Sequence, residues 1–211
     1  MHRNFNSVIV STVAVFIVMV LASIEPLEWS SYLLHQLGTL LFLALMMITY
    51  HYCHISSRSY VLAALFLVIH IIGARYLYSY VPYDEWTQQL FGIRLSEWFG
   101  WQRNMYDRLV HFSYGLLLFG AMAEISKSLF KIQSIKLLIA IALMINMSSS
   151  LLYELLEWGI ATTLSPKAAE AYNGQQGDIW DAHSDMALAL LGGLMSAVVV
   201  LFQTRKNQIV F

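Results

Sequence analysis

IKLLIAIALMINMSSSLLYELLEWGI, residues 135–160, settles the fold class. No side chain between Lys136 and Glu154 carries a formal charge, and at about 1.5 Å per residue the run is longer than the roughly 30 Å hydrocarbon core of a bilayer. Runs of the same character lie at 7–24, 32–50, 60–80, 107–126 and 179–203. The expectation is therefore an all-α membrane protein, a bundle of about six transmembrane helices forming a single domain over residues 1–211. Composition agrees. With 58% hydrophobic and 12% charged residues and a mean hydropathy of +0.60, the chain has more apolar side chain than a soluble core of its size can hold, so the surplus must face lipid. A net charge of -1 gives no basic excess and excludes nucleic acid as a partner. The single cysteine, Cys53, excludes an internal disulfide framework and a Cys-rich zinc site.

The first run, Ser7 to Ile24, shares with signal peptides a preceding arginine, Arg3, and small residues, Ala22 and Ser23, near its end. Its apolar stretch exceeds a usual signal core, and an uncleaved anchor suits the five runs that follow. Arg3, Arg58, Lys127, Lys131, Lys136, Arg205 and Lys206 fall on one side of the membrane in a six-span arrangement. The other side has Glu25, Glu28, Asp84, Glu85, Glu97 and Glu170 against Arg94, Arg103 and Lys167. Cytoplasmic loops collect lysine and arginine, so both termini are expected in the cytoplasm. The longest connection, residues 81–106, then lies outside and carries Trp86, Phe91, Trp98, Phe99 and Trp101, the composition of an interfacial amphipathic or re-entrant segment.

Ionisable groups inside spanning segments cost about 2.5–3.5 kcal/mol each at mid-depth and need a reason to be there. Here they form three sets. Asp107 and His111 open the fourth helix in YDRLVHFSYG, with Tyr114 further along the same face; Glu154 and Glu157 close the fifth in YELLEW; Asp178, Asp181 and Asp185 open the sixth in QGDIWDAHSDMALALLGG. At 100° per residue the three aspartates share about 60° of arc, continued by the small residues Ala189 and Gly192, whereas His183 points about 140° away from Asp178. Alternating topology puts all three sets at the same, outer end. His70, Arg75, Tyr76, Tyr78 and Tyr80 of the third helix and His35 of the second approach that level.

Neighbouring carboxylates on one face stand about 5–6 Å apart and repel by about 3 kcal/mol at an effective dielectric of 20. Such a cluster needs protons, arginines or a cation. Arg75, Arg103 and Arg108 are the available guanidiniums. Oxygen ligands with one or two imidazoles suit Mg²⁺, Mn²⁺, Ca²⁺ or Zn²⁺, so Asp107, His111, Glu154, Glu157, Asp178, Asp181 and Asp185 are the candidate metal ligands. Simpler roles compete with this. Asp178 and Asp107 can cap helices, Glu154 and Glu157 can pair with Arg108 or Arg75, His70 can hydrogen-bond between helices, and Trp29, Trp158 and Trp180 suit the aromatic belt.

The segments YDRLVHFSYGLLL, YELLEWG and QGDIWDAHSDMALALLG resemble the YjdF-like bacterial inner-membrane proteins, and the resemblance extends over nearly the whole chain. It implies an inner-membrane location and places Asp107, His111, Glu154, Glu157, Asp178, Asp181 and Asp185 in family-like motifs. It implies no particular reaction.

Three functions fit these residues. The first is a metal-dependent membrane hydrolase or transferase acting on a lipid-linked or periplasmic anionic substrate, a phosphate or ester: the carboxylates and His111 hold the metal, Glu154 or Glu157 is the base, and Arg108 or Arg75 meets the anion. The second is cation- or proton-coupled transport. It ranks lower because the inner half holds mainly Glu124 and Asn146. The third is a non-catalytic membrane partner whose polar cluster only locks helices.

Overall fold

A computed structural model of the chain describes residues 4–165, 169 and 172–207, the last four by their backbone alone. Its elements are α1 (Phe5–Ala22), α2 (Trp29–Tyr52), α3 (Ser57–Arg75), α4 (Tyr83–Phe91), α5 (Leu95–Phe99), α6 (Tyr106–Phe130), α7 (Ile135–Ala161) and α8 (Asp181–Asn207), with no strand among the described residues. α1, α2, α3, α6, α7 and α8 are long and apolar enough to cross a membrane.

Local chemistry sets where these helices begin. Asn4, Glu28, Ser56 and Ser134 each accept backbone N–H bonds from the first turn of the helix that follows. The third helix is shorter than its apolar run: after Arg75 the chain turns back, with Leu77 and Tyr78 at positive φ, so that the buried Tyr78 hydroxyl meets His70 Nδ1 at 2.8 Å. Residues 81–106 form two short helices, α4 and α5, each ended by a glycine at positive φ, Gly92 and Gly100. Neither buries a residue, and Leu90, Phe91, Trp98 and Phe99 stand exposed.

α6 is the axis of the bundle, packed against α3, α7 and α8, while α1 and α2 pack on α3. The approach of α6 to α8 is backbone to backbone: a Cβ on Gly115 would overlap the Ala189 carbonyl, and one on Gly192 would overlap that of Phe112. Only glycine admits that spacing. Apolar side chains on α1, α2 and α7, among them Val10, Ile17, Leu37, Leu41, Leu152 and Leu156, face outward with no protein cover, as lipid-facing surfaces do.

Candidate functional site

The first turn of α6, the last turns of α7 and the first turns of α8 meet at one end of the bundle, the end that carries α4 and α5. Two polar groups assemble there side by side.

The first is an ionic lattice. Arg108, on α6 and almost fully buried, reaches α8: its Nη2 lies 2.9 Å from Asp178 Oδ2 and 2.7 Å from Asp181 Oδ1, and its Nη1 pairs with Asp185 Oδ2 and donates to the Asp181 carbonyl at 3.2 Å. Arg103 repeats the motif from the connection before α6, 3.2 Å from Asp178 Oδ2 and 2.9 Å from Asp181 Oδ1. The segment before α8 is pinned further by Asn104, whose backbone N–H donates to Gln176 Oε1 at 2.9 Å while Gln176 Nε2 donates to the Asn104 carbonyl at 3.1 Å. The Trp180 backbone N–H, then the two guanidiniums, hold the Asp178 carboxyl below the usual carboxylate range. Asp178 is thus ion-paired, and its carboxylate closes a turn just ahead of α8.

The second group surrounds His111. Asp107 Oδ1 lies 3.6 Å from His111 Nε2 and Asp185 Oδ1 4.0 Å from the same nitrogen, while Glu154 Oε1 lies 3.6 Å from Nδ1. One ligand atom each from Asp107, His111 and Asp185 falls within 4.8 Å of the others, and all three residues are buried. Glu154 Oε1 and Asp185 Oδ1 are buried with no hydrogen-bond partner, although Glu154 is only 7% and Asp185 only 1% exposed. Tyr153 sets its ring edge to face against His111 at 5.9 Å.

Five carboxylates, those of Asp107, Glu154, Asp178, Asp181 and Asp185, thus meet in these two groups with two guanidiniums, those of Arg103 and Arg108. Both guanidiniums face the α8 side. The buried oxygens around His111 are left to be matched by protons or by a cation.

Of the residues expected as metal ligands, then, the structure brings Asp107, His111, Glu154 and Asp185 together. It turns Asp178 and Asp181 to the arginines. Glu157 stands one turn beyond Glu154 towards this end, half-buried, and near enough to Tyr172 that burial and the Glu157 charge push that phenol up to about 12. Arg75 is placed elsewhere: Nη1 donates to the Leu21 carbonyl at 2.8 Å and the guanidinium lies over the Tyr76 ring, tying α3 to α1. The expected encounter of Arg75 with the cluster is corrected accordingly, because the Leu21 carbonyl at the end of α1, which also accepts from the Ile24 N–H, lies closer to hand and has a second lone pair to offer. His35 and His70 form a separate aromatic group with Tyr78 and Tyr172, with His35 Nδ1 donating to the Ser31 carbonyl at 2.7 Å. His183 is exposed and stacks edge-on against Trp180.

Sequence reasoning passed over Asn146 and Ser150 as parts of this region. With Glu154 they recur every fourth residue along the buried face of α7, a spacing visible in the sequence.

The chain is 28% identical over 200 residues to the inner membrane protein YjdF of Escherichia coli (strain K12), covering 94% of this chain and 91% of that protein. No solved structure matches it significantly. Six apolar spans and this likeness identify a multi-pass inner-membrane protein. The family described as "Predicted membrane protein (DUF2238)" matches residues 7–206, so the chain belongs to the DUF2238 membrane-protein family.

Proposed function

We propose that this protein is a metal-dependent membrane hydrolase or transferase whose centre opens to the periplasm and acts on a lipid-linked or periplasmic phosphate or ester. One observation carries the reading: buried ligand atoms from two carboxylates and one imidazole converge within 4.8 Å, and one of those carboxylates, Asp185, keeps an oxygen that no protein group satisfies. Buried charge without a partner is costly, and a divalent cation removes the cost. The excess of lysine and arginine at the opposite end of the bundle supports the periplasmic orientation.

The donor set fits a hard or borderline ion such as Mg²⁺, Mn²⁺, Ca²⁺ or Zn²⁺. His111 Nε2 faces Asp107 and Asp185, so these three residues would hold the ion. Glu154 Oε1 stands 3.6 Å from Nδ1 of the same ring, beyond hydrogen-bond distance, so its oxygen is free to accept from water. Glu154, buried beside the ring, or Glu157, half-buried one turn further along α7, would serve as the base. When bound, the ion polarises the substrate oxygen and makes water a nucleophile near neutral pH. Arg103, the more exposed of the paired arginines, is the group an anionic substrate meets first.

Metal analysis of the purified protein is the test, beside a variant carrying Asp107→Asn and Asp185→Asn. A stoichiometric divalent ion in the wild type that disappears in the variant is the expected result. Wild-type protein free of metal after purification in metal-supplemented buffer would reject the reading and leave a polar lock between helices.

A further inference from the structure

Below the centre, the buried face of α7 carries polar groups with nothing to bond to. Asn146 is 0% exposed and Ser150 4%, yet both amide atoms of Asn146 and the hydroxyl of Ser150 lack a hydrogen-bond partner, as does Glu154 Oε1 one turn above. Interiors rarely leave such groups bare, and inside a membrane no bulk water is at hand to satisfy them.

Geometry selects the ligand. Asn146, Ser150 and Glu154 follow one another at i,i+4 steps, about 6 Å of rise each. Side chains at that spacing are neighbours on one face, none of these three bonds directly to the next, and one water making two bonds of about 2.8 Å can bridge polar atoms roughly 5 Å apart. The Asn146 amide packs closely against α8, 3.3 Å from where a Cβ on Gly193 would sit, so a small ligand is favoured over a large one. Further along the same face come Ala142 and Leu138, both buried and apolar, so the polar stripe ends at Asn146 and does not cross the membrane.

We propose that the unpartnered polar row on α7 facing α8 is a water-binding site, a file of water running from Asn146 past Ser150 to Glu154 and supplying the centre from within the bundle. Its use as the source of hydrolytic water rests on the metal-enzyme reading; its occupancy by water does not. A water file that ends blind below the centre also fits a hydrolase better than a transporter, which needs polar groups through to both faces.

The test uses full-length protein in detergent or nanodiscs with Cys53→Ser, and single cysteines introduced as Ser150→Cys, Asn146→Cys or, as a dry control on the same face, Ala142→Cys. Millisecond X-ray pulses split bound water into hydroxyl radicals where it sits, and these oxidise an adjacent thiol. The thiol of Ser150→Cys should oxidise roughly fivefold faster or more than that of Ala142→Cys, the contrast between a water-lined and an apolar surround. Equal rates would overturn the proposal. If Ser150→Cys does not fold, Asn146→Cys carries the same comparison. Repeating the pulses after chelation separates the two readings: fast oxidation in a protein that never carried metal rejects the enzyme alone, and equal rates in a metal-loaded protein reject the water file alone.

Discussion

Arg108 must satisfy Asp178, Asp181 and Asp185 at once, which only a planar fork with several donors can do. Removing it strands the buried Asp185 and leaves Asp178 and Asp181 to Arg103 alone, so Arg108→Ala should lower unfolding stability in detergent by about 3–5 kcal/mol, and Arg108→Lys should recover only part of that because a point charge cannot bridge all three. A loss below about 1 kcal/mol would mean that the lattice contributes nothing to the fold. The neighbouring centre responds to a different probe. A chelator should lower the melting temperature of the wild type, since an ion at a hundred times its dissociation constant stabilises by about 2.7 kcal/mol, and Asp107→Asn with Asp185→Asn should abolish that response. Glu28 offers a titration outside the centre. The N–H groups of Ser31 and Ser30, bonded at 2.6 Å and 2.9 Å, hold its carboxyl down at about 2 against an ordinary value of 4.5. A depressed folded pKa stabilises above the unfolded value and loses that contribution as pH falls through the folded one. Glu28→Ala should therefore cost about 0.5–2 kcal/mol at pH 7, as loss of a helix cap does, and the gap between the two proteins should close from about pH 5 down to about pH 2.

At the scale of elements, the closest joint is α6 against α8. Gly115→Ala puts a methyl into the Ala189 backbone, which cannot yield as a side chain does, and should destabilise by about 1–3 kcal/mol in the same unfolding assay. Gly38 on α2 is the matched control: nothing lies within 4 Å of its added Cβ, so Gly38→Ala should stabilise by roughly 0.5–1 kcal/mol through helix propensity alone. Part of this joint was legible in the sequence. Ala189 and Gly192 continue the aspartate stripe at helical spacing, and both lie at the contact. Gly115 gave no such signal, because a lone glycine in an apolar run reads the same whether it meets lipid or a neighbouring helix. The end of α3 was illegible for a related reason. Apolar and aromatic residues continue to Tyr80, and what stops the helix at Arg75 is a tertiary preference, Tyr78 turning back to His70.

For the whole molecule, hydropathy located the six spans, five of them to within about four residues at each end and the third overrunning Arg75 by five, because each must hold an apolar stretch of bilayer length whatever its neighbours are. The meeting of α6, α7 and α8 at one end was legible too, since alternating spans bring those helix ends to one level. Which acid meets which partner was not. Arg108 and Asp181 are 73 residues apart, and no spacing rule reaches from one helix to another. The remaining unknown at this scale is which end faces the periplasm, and the charges argue it. Arg58, Lys127, Lys131 and Lys136 lie at the end away from the centre, where acidic company is sparse, whereas Arg94, Arg103 and Arg108 at the centre's end sit among Glu85, Glu97, Asp178 and Asp181 and are paired with them. Unpaired basic residues resist translocation, so the end without the centre should remain in the cytoplasm. A fluorescent reporter that matures only in the cytoplasm, fused after Phe211, should therefore glow, and a periplasm-dependent phosphatase inserted at Gly92 between α4 and α5 should be active. Cys53, in the turn between α2 and α3 at the far end, should resist an impermeant thiol reagent in cells with a permeabilised outer membrane and react once the inner membrane is opened. The reverse pattern would put the His111 centre in the cytoplasm. Its ligands would stay where they are, but periplasmic substrates would be removed from its reach and soluble cytoplasmic phosphates and esters would become the compounds to try.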